Sequence, residues 1–329
     1  MPGSVLSLRE VAKYFPVRSQ RLFEQPRRLL AVAPLTLDLA PGEILAVVGE
    51  SGSGKSTLGR MVAFVMPPSK GTIALEGVEP ASLPPAQARL ARRSVQIVHQ
   101  DPYSALNPRK TVAQALCDPI LAHRLGTRSR ALARAQELLS LVGLHPPTEF
   151  LQRYPYELSG GQRQRVVIAR ALTLDPKVIV ADEAVSMVDV SLRQSILATL
   201  RDLRDRLGVA FVFITHDLAL ADSFAGEHRT MVMYAGHVME YGRSEDVIRR
   251  PRHPYTRLLQ AALLDPDPDN NQGRDLAGFE GELPDPAVEM AGCAFASRCP
   301  FVQDVCLRER PALLPRGGPQ AVACHFADN

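Results

Sequence analysis

The sequence predicts an α/β fold with a mostly parallel sheet, and three observations support that class. Gly49 to Thr57 reads GESGSGKST, which fits G-x-x-x-x-G-K-[ST], the phosphate-binding loop, and it lies between an apolar run and a helical pattern. Short apolar runs then alternate with helix-like stretches, as when strands are joined by crossover helices. One such run, Val178–Ala181, ends in a pair of acids, Asp182 and Glu183. A length of 329 residues suggests one large domain with an appendage, or two domains.

Val5–Val11 and Leu29–Leu39 alternate apolar and polar positions and predict strands of a half-buried sheet. The basic stretch between them, Arg18 to Arg28, predicts an exposed loop. Glu43–Val48 predicts a buried strand that feeds the glycine-rich loop, and Leu58, Met61, Val62 and Val65 then recur at helical spacing. Thr72–Leu75 predicts a strand, Pro80 to Pro85 a turn, and Ser94–His99 a strand ending in Gln100. From Asp101 to Pro155 strand signals vanish. Thr111–Arg124 and Arg128–Val142 read as helices, the second with Leu132, Ala135, Leu138 and Leu139 on one apolar face. Residues 101–160 or so thus predict a helical insertion within the α/β unit. Arg163–Leu174 predicts a helix behind Leu158-Ser159-Gly160-Gly161-Gln162. Val178–Ala181 and Ala210–Ile214 are strands joined by a crossover helix, Ser191–Leu207. Thr230–Tyr234 and His237–Tyr241 make a hairpin around Ala235-Gly236. Past His253-Pro254-Tyr255, Thr256–Leu263 predicts a short helix and Asp265 to Gly273 a linker. The chain therefore divides into 1–255 and a C-terminal module, 256–329.

Composition narrows the function. A hydrophobic fraction of 46% is ordinary for a globular core. Lys plus Arg is 38 and Asp plus Glu is 35, and the net charge of +3 is too small to point to nucleic acid. Apolar runs such as Val209–Ile214 fall far short of the ~20 residues of a membrane span. No basic-then-apolar leader pattern is visible, so the expectation is a cytosolic protein whose membrane role, if any, runs through partner chains.

The chemistry concentrates in a few places. Gly49, Gly52 and Gly54 let backbone N–H groups turn inward around an anion, with Glu50, Ser51 and Ser53 between them. The helix that starts there adds its positive dipole end. Lys55 reaches terminal phosphates, Ser56 offers a hydroxyl to Mg²⁺, and Thr57 sits near the inner phosphates. Asp182, at a strand end, can hold Mg²⁺ opposite Ser56, and Glu183 can polarise an attacking water. By itself, a strand ending in two acids is equally read as a solvated pair. Ser159 is a good N-cap, and Gly160 and Gly161 expose backbone N–H groups before a helix, which builds a second anion site.

The Leu158–Gln162 stretch reads LSGGQ, and in this order the motifs resemble the ATP-binding subunit of an ATP-binding cassette (ABC) transporter. The resemblance covers about residues 4–260. It implies a P-loop NTPase core with an antiparallel β subdomain, taking ATP and Mg²⁺. It makes Gln100 a contact to Mg²⁺ and water, Ser159, Gly160, Gly161 and Gln162 the signature, Asp189 part of the D-loop, and His216 a switch histidine at the γ-phosphate. An aromatic near the start would stack on adenine, Phe15 or alternatively Tyr14. Two subunits would sandwich ATP head to tail, each phosphate loop facing the other's signature. The implied partners are a second ABC ATPase, identical or related, two permease subunits, and indirectly an extracytoplasmic solute-binding protein, with no nucleic acid. The implied location is peripheral, on the cytoplasmic face of the membrane. Asp101 to Pro108 resembles an extension of peptide importers that lines the groove for the membrane subunit. Two features depart from the pattern: Ala184 follows Glu183 where proline is usual, and Ser186-Met187-Val188-Asp189 replaces Ser-Ala-Leu-Asp. Met187 is bulkier than alanine, which puts the speed and symmetry of hydrolysis in question. Soluble ABC ATPases that act on ribosomes or nucleic acid, and low-turnover regulatory partners, are the other classes. The single cassette without heptads speaks against the first, and intact Glu183 and His216 against the second.

Cysteine use is uneven. Cys117 lies in a helical pattern and reads as core, while Cys293, Cys299, Cys306 and Cys324 follow C-x5-C-x6-C-x17-C near the end. This tail resembles the C-terminal module of oligopeptide, dipeptide and nickel importer ATPases. Four thiolates can hold a [4Fe–4S] cluster or close a Zn²⁺ site, or they can stay reduced as packing residues.

Overall fold

The computed structural model describes residues 3–16, 28–262, 290–315 and 320–327. Residues 18–27 of the expected basic loop and the expected linker lie outside these.

The chain opens with two long strands, β1 (Leu6–Pro16) and β2 (Arg28–Leu39), passes through β3 (Ile44–Val48) and α1 (Lys55–Val62), and returns as β4 (Lys70–Leu75). Strands β2-β1-β4 form a three-stranded antiparallel sheet. Next come α2 (Pro85–Arg93) and β5 (Val95–Val98). Helix α2 follows directly on the expected Pro80–Pro85 turn, over residues for which the sequence suggested no element. It buries one residue, Ala88, and Pro85 at its first position has the fixed φ that suits a helix start.

The helical insertion holds α3 (Pro102–Ala105), α4 (Val112–Ala122), α5 (Arg128–Leu141), α6 (Pro147–Gln152) and α7 (Gly160–Ala171). Thr111 caps α4 in a capping box with Gln114, and Thr127 caps α5. Cys117 is buried in α4, as expected. The face expected of α5 needs one correction. Ala131, Ala135, Leu138 and Leu139 are its buried residues, while Leu132 is 41% exposed. Leu132 lies roughly 100° round the helix from Ala131, and the small alanines rather than the leucine meet the neighbouring helices.

The chain then lays down β6 (Val178–Asp182), α8 (Val190–Leu207), β7 (Ala210–Thr215), α9 (Leu218–Ala225), β8 (Arg229–Tyr234), β9 (His237–Arg243), α10 (Ser244–Arg249) and α11 (Pro254–Ala261). The C-terminal segment adds α12 (Asp304–Arg308), β10 (Leu314–Pro315) and β11 (Ala321–Val322). Among the described residues the main sheet has eight strands, ordered β10-β11-β9-β8-β3-β7-β6-β5. From β8 to β5 neighbours run parallel, and from β10 to β8 they run antiparallel. All five residues of β3 are buried, which suits a strand covered on both faces. Its Ile44, Ala46 and Val48 point into the core shared with the helical insertion, and Leu45 and Val47 into the core under the small sheet. The β8–β9 turn has positive φ at both Ala235 (45°) and Gly236 (81°), the geometry that matches the twist of a tight hairpin.

The C-terminal segment is built onto the cassette. Strand β11 pairs with β9, and Phe295 packs in one cluster with Tyr234 and Tyr255. The Glu240 carboxylate, fully buried, accepts from Arg252 N (2.9 Å), His253 N (3.0 Å) and Gln320 Nε2 (3.3 Å). His253 stays neutral there: burial lowers its pKa to about 3, and its Nδ1 accepts from Tyr255 N at 3.0 Å.

Candidate functional site

The parallel register assembles the site. In β3, β7, β6 and β5, Val48 lies opposite Thr215, Asp182 opposite Ile214, and Val98 opposite Ala181. The carboxyl ends of these neighbours therefore share one edge, where ligands bind in open α/β sheets. Just past these four strand ends, in the same order, stand the 49–57 loop, His216, Glu183 and Gln100.

The loop is packed from behind. A Cβ on Gly49 would lie 2.1 Å from the Met233 carbonyl oxygen, and one on Gly54 (φ 98°) 2.2 Å from that of Ala31, so neither position accepts a side chain. Gly236 N donates to Ser53 O at 3.0 Å, which ties the loop to the hairpin turn. The loop curls around its own lysine. Lys55 Nζ donates to Gly49 O (2.7 Å), Glu50 O (2.8 Å) and Ser53 Oγ (3.3 Å). Burial lowers the Lys55 pKa, and the charges of Glu183, Asp182 and Glu50 oppose that shift.

Ser56 Oγ donates to Asp182 Oδ1 at 2.9 Å, so a hydroxyl and a carboxylate meet between the loop and β6, an oxygen donor set suited to Mg²⁺. Burial raises the Asp182 pKa, with the neighbouring Glu183 charge adding to it and the Ser56 bond working against it. Glu183 adopts φ 50°, a left-handed conformation uncommon outside glycine. Its N–H continues the ladder by donating to Ile214 O at 2.9 Å. Its carboxylate is held on both sides: Oε2 accepts from Gln100 Nε2 at 2.9 Å, and Oε1 lies 3.3 Å from His216 Nδ1. The residues expected at the catalytic centre are thus joined, although 83 positions separate Gln100 from Glu183.

The turn expected to be a second anion site stands apart. Ser159 caps α7 in a box with Gln162, the two side chains bonding at 3.2 and 3.1 Å to each other's backbone N–H. Gly160 has open space beside it. Among the described residues no hydrogen bond or ion pair joins the 159–162 turn to the 49–57 loop. Asp189 begins α8 without a side-chain cap bond. Beside it Val188 is buried, while Met187 (60%), Val190 (73%) and Leu192 (38%) form an exposed apolar group. The bulk introduced by Met187 therefore points out of this chain. Strand β2 touches the loop through Ala31, and Phe15 pairs with Leu29 two residues along; Phe15 and Tyr14 are both half-buried.

This geometry has counterparts among known proteins. A model of the ABC transporter family matches residues 32–186, and one of the oligopeptide/dipeptide transporter C-terminal region matches residues 239–306. A relative from Brucella ovis, named a putative peptide import ATP-binding protein, is 42% identical over 94% of this chain and 93% of its own length. The chain belongs to the ABC transporter ATP-binding family. A probable peptide ABC transporter ATP-binding protein of Sinorhizobium fredii is also 42% identical, over 99% of this chain and 90% of its own. A solved ATP-binding cassette, a dimer bound to ADP and phosphate, superposes with a TM-score of 0.62 at 27% identity, covering 73% of this chain and 98% of that one.

Two features of the ABC chain depart from what its sequence suggests. The cysteine motif is the first. Cys293, Cys299, Cys306 and Cys324 all border one cavity of about 120 Å³. Yet among the described residues no group of three or more His, Cys, Asp or Glu side chains could hold a metal ion. The expected cluster or zinc site has no ligand set in this geometry. Burial pushes the Cys293 thiol up to about 11 and also raises Cys299, so both stand as neutral thiols. The second departure is a pair of contacts on the phosphate loop that the sequence did not reveal. Tyr255 Oη accepts from Glu50 N at 2.9 Å, and Arg298 Nη1 donates to Glu50 Oε2 at 2.9 Å. They lie 205 and 248 positions away from Glu50, beyond the reach of any local pattern.

Proposed function

We propose that this chain is the ATP-hydrolysing subunit that powers an importer for peptides or related small solutes. The observation that carries the reading is the Glu183 carboxylate, held between Gln100 and His216 next to the Ser56–Asp182 pair. In this reading the phosphates of ATP enter the Gly49–Thr57 cradle, and Lys55 exchanges the carbonyls of Gly49 and Glu50 for phosphate oxygens. Mg²⁺, held by Ser56, Asp182 and Gln100, would neutralise phosphate charge. Glu183 takes a proton from the attacking water, and His216 donates to the γ-phosphate. Phe15 or Tyr14 stacks on adenine. Ser159–Gln162 and Asp189 of a second ABC subunit complete the site, since this chain keeps its own signature apart from its own loop.

The names of the relatives support peptide import. The groove behind α3 supports docking on a membrane partner: Ala105, Leu106 and Asn107 line a cavity of about 520 Å³ together with Lys110, Asp118 and Arg170. No helix among the described residues is long and apolar enough to cross a membrane. In this reading the chain sits on the cytoplasmic face through two permease subunits. The cassette, 1–255, would carry the chemistry, and the module, 256–329, would brace it. The expected result on purification from native membranes is recovery with two permease subunits, and ATP hydrolysis in proteoliposomes that rises with peptide-loaded binding protein. Recovery with RNA or DNA and without membrane subunits would overturn the reading.

A further inference from the structure

We infer that Arg298 is a positioning residue for nucleotide binding: it holds the Glu50 carboxylate away from the phosphates that enter the loop. This rests on the reading of Gly49–Thr57 as the ATP cradle.

The need for such a residue comes from charge. Glu50 is an acid in the second position of a loop built to attract anions, and its charge is felt by Lys55. Left to itself, that carboxylate would compete with phosphate for the lysine and repel it. Arg298 supplies the counter-charge. The ion pair is largely shielded, with the Arg298 side chain 13% exposed and that of Glu50 29%, so water screens it less than a surface pair. The guanidinium is itself fixed, 5.7 and 5.9 Å from the ring centroids of Tyr234 and Phe295. Tyr255, whose hydroxyl takes the Glu50 N–H, packs on the same two rings at 4.7 and 5.3 Å. Both the backbone and the side chain of Glu50 are therefore set by groups outside the loop.

The anchor is built by the C-terminal segment. Arg298 ends a short turn, Ala296–Arg298, that lies between Cys293 and Cys299. Cys293 N donates to Cys306 O at 2.7 Å and Cys299 N to Ala296 O at 3.3 Å, so the turn is stitched to the cysteine-lined cavity. ATP affinity thereby depends on a module that lies outside the nucleotide site itself.

Equilibrium binding of ATP to the full chain in EDTA tests this. Arg298→Met keeps the length and loses the charge, and is expected to weaken ATP binding about tenfold. Arg298→Lys, which keeps the charge, should recover most of the loss. In a Glu50→Gln background the same Arg298→Met change should move the dissociation constant less than about twofold, because the acid it restrains is gone. A loss of equal size in both backgrounds would mean that Arg298 only props up the fold, and would overturn the inference, as would unchanged affinity in Arg298→Met. Lys55→Ala separates the role of Arg298 from the role of the loop. If it binds ATP normally, the reading of the loop fails; if it loses binding while Arg298→Met does not, only the role of Arg298 fails.

Discussion

Glu183→Gln is expected to lower steady-state ATP hydrolysis by about a thousandfold while leaving ATP affinity within a few fold. The amide matches the carboxylate in shape, so the contacts with Gln100 and His216 persist in outline. What is lost is the basic oxygen pair aimed across the strand ends. Affinity is retained because the phosphates are held by the loop, Lys55 and the Ser56–Asp182 pair, whose hydrogen bonds do not run through Glu183. The strained φ of 50° at this position argues that its placement matters. Such a backbone conformation costs of order 1–3 kcal/mol and persists only where the surroundings enforce it, here the bond from Glu183 N to Ile214 O. Phosphate release and ATP binding measured on the same preparation check both halves. Unchanged turnover would refute the assignment of Glu183 as the base.

Ser159→Arg should have an effect nearly as large and of a different kind. Hydrolysis is expected to fall by about a hundredfold or more, the scale of losing a preorganised donor to developing charge. ATP binding to the isolated chain should hardly change, because among the described residues no hydrogen bond or ion pair joins the 159–162 turn to the chain's own loop. The arginine would break the box in which Ser159 and Gln162 satisfy each other's N–H groups, and would fill the open space beside Gly160. Arg298→Met should behave in the opposite way: that substitution should alter binding in the single chain, whereas Ser159→Arg should alter only turnover. Loss of ATP binding in Ser159→Arg would show that the signature serves its own loop.

Local motifs made the nucleotide site legible, because each depends on a few contiguous residues. The glycine loop, the strand ending in Asp182 and Glu183, and the capped turn at Ser159 carry their geometry in their spacing. Their assembly could be inferred only from the family's order, since Gln100, Glu183 and His216 meet through strand register. Amphipathic elements such as α4 were readable within a residue or two at each end. Two helices escaped: α2 buries only Ala88, and α9 is apolar on most sides, with five of its residues buried. The stitching of the C-terminal segment was hidden for another reason. Tyr255 and Arg298 are ordinary residues whose partner, Glu50, lies at the other end of the chain, and nothing in the local sequence marks such a pair. The cysteines show a different limit: four thiols and the resemblance of the tail left cluster, zinc and reduced packing residues open, and among the described residues the structure gathers the thiols around a cavity without a metal ligand set.

The most direct measurement is specific ATPase activity as a function of concentration, with the mass of the chain tracked in parallel. If one subunit's signature must close on another's phosphate loop, activity per molecule falls toward zero on dilution to monomer. It should return when a second ABC subunit is added. Constant specific activity down to concentrations at which the chain is wholly monomeric would contradict the account.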